Sequence, residues 1–204
     1  MDYEDFIPIF STEFFTIERA LAKQRSQPPY YRLVDGSSVI AFVLDRNDDF
    51  LMVKQYRPSL ETDTLECPAG GINGGEDPLT AIRREIREEI GYECALLKLG
   101  SSYSLQMNRS SARDHLFFGM FPERLMNSDT ELGLTTVAIP RSSLFELTRD
   151  GGYLQLAGLG LLAVAGGILG VNMWTASLGE IESAFRANKE VSWHKIEQTP
   201  DKHN

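Results

Sequence analysis

The sequence is poor in thiols and imidazoles, with two cysteines, Cys67 and Cys94, and three histidines in 204 residues. That scarcity excludes a disulfide framework and a thiolate metal cage. Each cysteine sits among apolar residues, as a small buried hydrophobe would. A cationic surplus is lacking too. Twenty Lys and Arg stand against 29 Asp and Glu, a net charge of −9. This excludes a general binder of nucleic acid polymers, because phosphate backbones are held by excess cations. The acidic start, Met1-Asp2-Tyr3-Glu4-Asp5, leads into no apolar stretch of the secretory kind, so a cytoplasmic protein is expected. Long apolar runs are absent but for one, residues 154–171, where Gln155 is the only polar side chain. Its length is at the lower edge of a membrane span. Gly and Ala dilute its hydropathy, and no Lys or Arg cluster flanks it. A helix buried on the core is therefore expected, with membrane attachment as the alternative.

What is present suffices for a packed core, at 42% hydrophobic residues. Residues 38–44 are β-branched and of strand length. The polar turn 45–49 and a second strand-like segment, 50–57, after them predict a hairpin. Residues 31–34 read as extended, and 95–99, 115–121 and 135–139 read as further strands. Helices are expected over 142–149 and 176–188. Strands with interspersed helices give an α/β (α+β) class.

The segment Leu65-Glu66-Cys67-Pro68-Ala69-Gly70-Gly71-Ile72-Asn73-Gly74-Gly75-Glu76 is dense in glycine. There the backbone must turn sharply or approach another group closely. Asp77 suits a helix cap, Pro78 the first helical position and Gly91 the end. At about 100° per residue, Glu88 lies about −60° and Glu89 about +40° from Glu85. Leu79, Ile82, Ile86 and Ile90 form an apolar stripe beside them. Like charges at this spacing repel. A hard divalent cation would compensate, magnesium first and manganese as the alternative, sharing its shell with substrate phosphates. The competing reading is a solvated acidic face neutralised by Arg83, Arg84 and Arg87. The glycine-rich lead-in favours the cation, since it offers backbone groups where a diphosphate would sit.

Gly70, five residues, Glu76, seven residues, then Arg84-Glu85-Ile86-Arg87-Glu88-Glu89-Ile90-Gly91-Tyr92 resembles the Nudix box, with Tyr92 where an aliphatic residue is usual. Val53-Lys54-Gln55-Tyr56-Arg57 and Leu65-Glu66-Cys67-Pro68-Ala69-Gly70-Gly71 resemble the ADP-ribose and nucleoside-diphosphate-sugar pyrophosphatase branch of that family. The likeness covers residues 30–150. It implies an α/β/α sandwich around a mixed central sheet. Residues 1–37 become an N-terminal extension that helps to build a homodimer, 38–190 the hydrolase domain and 191–204 a C-terminal tail. The implied activity is magnesium-dependent hydrolysis of the diphosphate bond in a nucleoside diphosphate linked to another moiety.

Carried over residue by residue, Glu85, Glu88 and Glu89 become metal ligands, joined by a backbone carbonyl near Gly70. Glu88 and Glu89 are also catalytic candidates. Glu131 is the candidate general base, with Glu123 and Asp129 as alternatives. Arg57, Gly71 and Arg109 become substrate contacts, and Glu76 and Arg84 supporting residues. The substrate stays open among ADP-ribose, another nucleotide sugar and a dinucleotide. A module that senses a nucleotide without hydrolysing it is the rival reading, and the complete set of acids favours an enzyme.

Overall fold

The structure, a computed structural model, describes residues 2–24, 26–126 and 131–194. The chain opens with β1 (Ile7–Ser11), β2 (Phe15–Ala20) and β3 (Tyr30–Asp35), which pair antiparallel as a separate sheet. β4 (Ser38–Leu44) and β5 (Asp49–Arg57) form the expected hairpin, with Val43 opposite Leu51. β6 (Thr62–Glu66) lies antiparallel to β5, and β7 (Ala69–Gly71) antiparallel to β4. Next comes α1 (Pro78–Glu85), continued by a π-helical turn over Ile86–Ile90. Then follow β8 (Tyr92–Lys98), β9 (Asp114–Arg124), β10 (Thr135–Pro140), α2 (Arg141–Arg149), α3 (Leu156–Leu169), α4 (Leu178–Ala187) and β11 (Val191–Ser192). The main sheet runs β10-β5-β4-β9-β8-β11. It is mixed, because β4 and β9 are parallel and the other neighbours on this path antiparallel.

Period-two alternation along β4 builds both cores. Val39, Ala41 and Val43 pack with Ala81, Ile82, Ile86 and Ile90 of the α1 region. Ile40, Phe42 and Leu44 pack with Leu161, Leu162 and Ala165 of α3 and Ile181 and Phe185 of α4. Helices thus cover both faces of the sheet, and the α/β/α sandwich is the observed architecture. The N-terminal sheet leans on the loop before β9. Leu33 N–H donates to the Arg109 carbonyl at 2.6 Å, and the Ser110 hydroxyl donates to Asp35 at 2.7 Å.

The apolar run becomes α3, a 14-residue helix that buries Gly158, Leu161, Leu162 and Ala165. Among the described residues no helix is long and apolar enough to cross a membrane. Close approach explains one of its glycines. A methyl on Gly158 would overlap the Tyr153 hydroxyl and press on the Phe42 ring, whereas one on Gly160 meets open space. Gly158→Val should therefore lose about 1–3 kcal/mol of stability in urea unfolding, the usual penalty of overpacking. Gly160→Ala should gain roughly 0.5–1 kcal/mol from helix propensity in the same measurement.

Candidate active site

The acidic helix is built as its punctuation predicts. The Asp77 carboxylate accepts the N–H groups of Leu79 and Thr80 at 3.0 and 3.2 Å, Pro78 opens the helix, and Gly91 ends it at φ 77°. The interior departs from a uniform α-helix. Over Ile86–Ile90 it widens into a π turn, and Gly91 N–H reaches the Ile86 carbonyl five residues back at 3.1 Å. The angular arithmetic at about 100° per residue therefore fails past Glu85. A wider turn advances each residue by a smaller angle, so Glu89 swings back toward the bearing of Glu85. Both end up buried, each 7% exposed, while the Glu88 side chain is 51% exposed. Single π turns recur at functional sites.

The glycine loop lies against these acids. A Cβ at Gly70 would overlap the Glu85 carboxylate, so only glycine permits the approach. Glu89 Oε2 accepts the Ala69 N–H at 2.9 Å. Burial pushes Glu89 up to about 8; the Ala69 hydrogen bond opposes this, while the carboxylates of Glu85, Glu131 and Glu66 add to it. Burial also raises Glu85, against the pull of Arg84.

Of the three arginines on this helix, one faces the acids. Arg84 Nη1 donates to Glu85 at 2.6 Å and to Glu88 at 3.1 Å. Its Nε and Nη2 donate to Glu76 at 3.2 and 3.1 Å, and Nη2 also reaches the Gly71 carbonyl at 2.9 Å. These bonds, the Glu76 pair foremost, hold Arg84 well above its ordinary pKa. Arg84 and the Asn73 N–H in turn hold Glu76 below the usual carboxylate range. Arg83 and Arg87 turn away to Glu93, which is 3% exposed on β8. Neutralisation by all three arginines is thus not what the side chains do. Three carboxylates, Glu76, Glu85 and Glu88, share a single guanidinium, and Glu89 bonds to the Ala69 N–H instead.

Among the described residues no three His, Cys, Asp or Glu side chains already converge as a ready-made coordination set. Arg84 spreads the acids, drawing Glu85 and Glu88 toward itself while Glu89 turns to Ala69. The donor set nonetheless suits a hard cation: all oxygen, two carboxylates buried against their electrostatic preference, and a glycine in place of any side chain at the cradle.

The remaining expected residues fall in three places. Glu131 comes back to the acidic helix through its own N–H, which donates to the Glu88 carbonyl at 2.8 Å. Glu123 lies on β9 opposite Glu93, and Asp129 lies outside the described residues. Arg57, at the end of β5, forms a fork with Glu66: Nε to Oε1 at 2.7 Å and Nη2 to Oε2 at 2.5 Å. Arg109 sits elsewhere, its guanidinium 4.9 Å over the Tyr30 ring and bonded to the Asn108 carbonyl. Its contacts are with the N-terminal sheet and its own loop, not with the acids. Glu66 is the member that motif reading left without a role, although it stands inside the quoted Leu65-Glu66-Cys67-Pro68 run. Burial would raise it, but Arg57, Thr64 and Gln55 together hold it below its ordinary value.

Comparison with known proteins agrees with this geometry. The family model described as NUDIX domain matches residues 35–134. Over 80 residues the chain is 34% identical to the methanol dehydrogenase activator of Bacillus methanolicus, covering 39% of this chain and 43% of that protein. It is 42% identical over 62 residues to the ADP-ribose pyrophosphatase of Saccharomyces cerevisiae, 29% of this chain and 27% of that one. The matched segments span less than half the length of these relatives. A crystal structure of an ADP compounds hydrolase superposes with a TM-score of 0.67 at 19% identity, over 83% of this chain and 94% of that chain. That likeness concerns the fold. Residues 35–134 are a Nudix domain.

Proposed function

We propose that the protein hydrolyses the diphosphate bond of a nucleoside diphosphate linked to another moiety, ADP-ribose or a nucleotide sugar, with magnesium as cofactor. The observation that carries this is the acidic helix itself: Glu85, Glu88 and Glu89 set against the Gly70 cradle with one arginine among them. The yeast relative named ADP-ribose pyrophosphatase supports the substrate class. Glu85, Glu88, Glu89 and the Gly70 carbonyl would hold the metal, with Arg84 and Glu76 keeping helix and loop in register. Bound there, a divalent cation supplies Lewis-acid neutralisation of the diphosphate charge.

The chain's own groups do the rest. Arg57, Gly71 and Arg109 are the proposed substrate contacts. A water attacking phosphorus forms one P–O bond as the bridging P–O bond breaks, giving two monophosphates. Glu131, tethered beside Glu88, takes the proton that this water loses. Residues 1–37 are proposed as a dimer-forming extension to a hydrolase domain at 38–190, with 191–204 as a tail, in a cytoplasmic enzyme. The three strands of that extension fit such a role, since Ile7, Ile9 and Phe10 of β1 are exposed.

Release of mononucleotide from ADP-ribose, sugar nucleotides, NADH and diadenosine polyphosphates with magnesium tests the reading. Turnover of none of them would move the weight to a sensing module. Glu89→Gln should lower kcat by more than about a hundredfold, beyond the 10–100-fold typical of residues behind the metal ligands. Parental activity in that variant would sink the ligand assignment. Glu131→Gln should lower kcat by about 10²-fold, the low end of general-base catalysis, while calorimetry finds cation affinity unchanged.

Glu89 also sets a pH dependence. Its folded pKa is raised from 4.5 to about 8, so between those values the cation-free native state holds a proton that the unfolded chain has lost. The associated stability is complete below 4.5 and is lost as pH rises through about 8. Cation binding near neutral pH should therefore release protons and tighten with rising pH. Calorimetry of magnesium binding in two buffers of different ionisation enthalpy measures that release.

A further inference from the structure

Beside Glu66, a cavity of about 240 Å³ opens between the end of β5 and the turn before α3. Arg57, Ser59 and Leu60 line one side, and Leu154 and Gln155 the other. The cavity is joined to the acids through the backbone. Gln155 Oε1 accepts the Cys67 N–H at 2.9 Å, and two residues later Ala69 N–H donates to Glu89 at 2.9 Å. The lead-in to the glycine loop is thus held at one end by the cavity wall and at the other by a box glutamate.

The hydrogen-bonding capacity of the wall is one-sided. Glu66 is saturated: Oε1 accepts from Arg57 and Thr64, and Oε2 from Arg57 and Gln55. It has no lone pair left for a ligand hydroxyl. Gln155 Oε1 takes the Cys67 N–H and the Tyr153 hydroxyl, at 3.3 Å, which fixes the amide orientation. Its Nε2 has no acceptor among the described residues, and neither do Arg57 Nη1 and the Ser59 hydroxyl. The cavity therefore presents donors. It presents them without net charge, because Glu66 neutralises Arg57 at bonding distance. Leu60 and Leu154 add apolar wall. Drug-sized ligands take roughly 300–1,000 Å³, so the space suits one ring rather than a second nucleotide.

We infer that this cavity receives the sugar ring on the far side of the scissile diphosphate, and that Gln155 is a specificity-determining residue that donates to a ring oxygen through Nε2. The inference rests on the hydrolase reading above and deepens it, selecting nucleotide sugars over dinucleotides. The apolar wall faces the ring's C–H surface while the donors meet its oxygens. A dinucleotide would have to place a second base, and a diadenosine polyphosphate further phosphates as well, in a space too small and lacking free charge.

Steady-state kinetics on the full chain with magnesium test this, using ADP-ribose, ADP-glucose and diadenosine triphosphate. The parent should show the lower KM for the sugar compounds. Gln155→Glu keeps an oxygen for Cys67 N–H but replaces the donor with an anionic acceptor. It should raise KM for ADP-ribose and ADP-glucose about tenfold, the worth of one hydrogen bond, with kcat within about twofold and Tm unchanged. Leu60→Trp fills the cavity from its exposed rim without touching the Glu66 network, and should raise the same KM values. Parental KM for both sugar compounds in both variants would overturn the inference while leaving the hydrolase reading intact. So would a parent that prefers diadenosine triphosphate. A parent inactive on all three and on the wider substrate panel would remove the hydrolase reading, and this one with it.

Discussion

The site depends on one unequal electrostatic arrangement: a single guanidinium, Arg84, set among four carboxylates and bonded to three of them. Each of its donors is occupied, and through them the glycine loop, the start of the helix and two box glutamates become one rigid unit. A planar fork can make these contacts at once, whereas a lysine ammonium would act as a point charge. Arg84 cannot satisfy Glu89, which is left to burial and one backbone N–H. The resulting deficit of positive charge is the main argument that the site is made for a cation.

Arg83 and Arg87 explain how that deficit persists. Both carry charge on the same helix, yet both are committed to Glu93 on β8. Glu93 is nearly inaccessible, and an unpaired carboxylate there would cost several kcal/mol. So the sheet draws two arginines to the side away from the acids and leaves the third to face them. Packing and electrostatics cooperate: the apolar stripe docks α1 on β4, and the ion pairs behind it fix which way the helix is turned.

Much of this was legible in the residues. Box spacing, the Asp77-Pro78 start and the Gly91 stop were written plainly, because caps and glycine turns act locally. Residues 38–44 declared a strand through β-branched density, and the hairpin followed. β6 was not legible, since Thr-Asp-Thr-Leu-Glu becomes a strand only by pairing with β5. β1 and β2 escaped for a similar reason: β1 is exposed throughout with a proline in it and β2 is half-buried almost throughout, so neither shows period-two burial. The commitment of Arg83 and Arg87 to Glu93 is tertiary and leaves no trace in the spacing. Glu66 was visible as a letter in a motif but not as the saturated partner of Arg57.

The π turn over Ile86–Ile90 has a consequence for how such a helix changes over generations. Relative to a regular helix, this stretch holds one surplus residue, accommodated as a local bulge. A single-residue deletion there would let the bulge relax and rotate everything downstream, carrying Glu89 off the glycine loop while leaving the helix intact. Insertions and deletions in this segment are therefore far more dangerous than most substitutions. The length of the motif is itself a functional trait, enforced by angular position as much as by the identity of its letters.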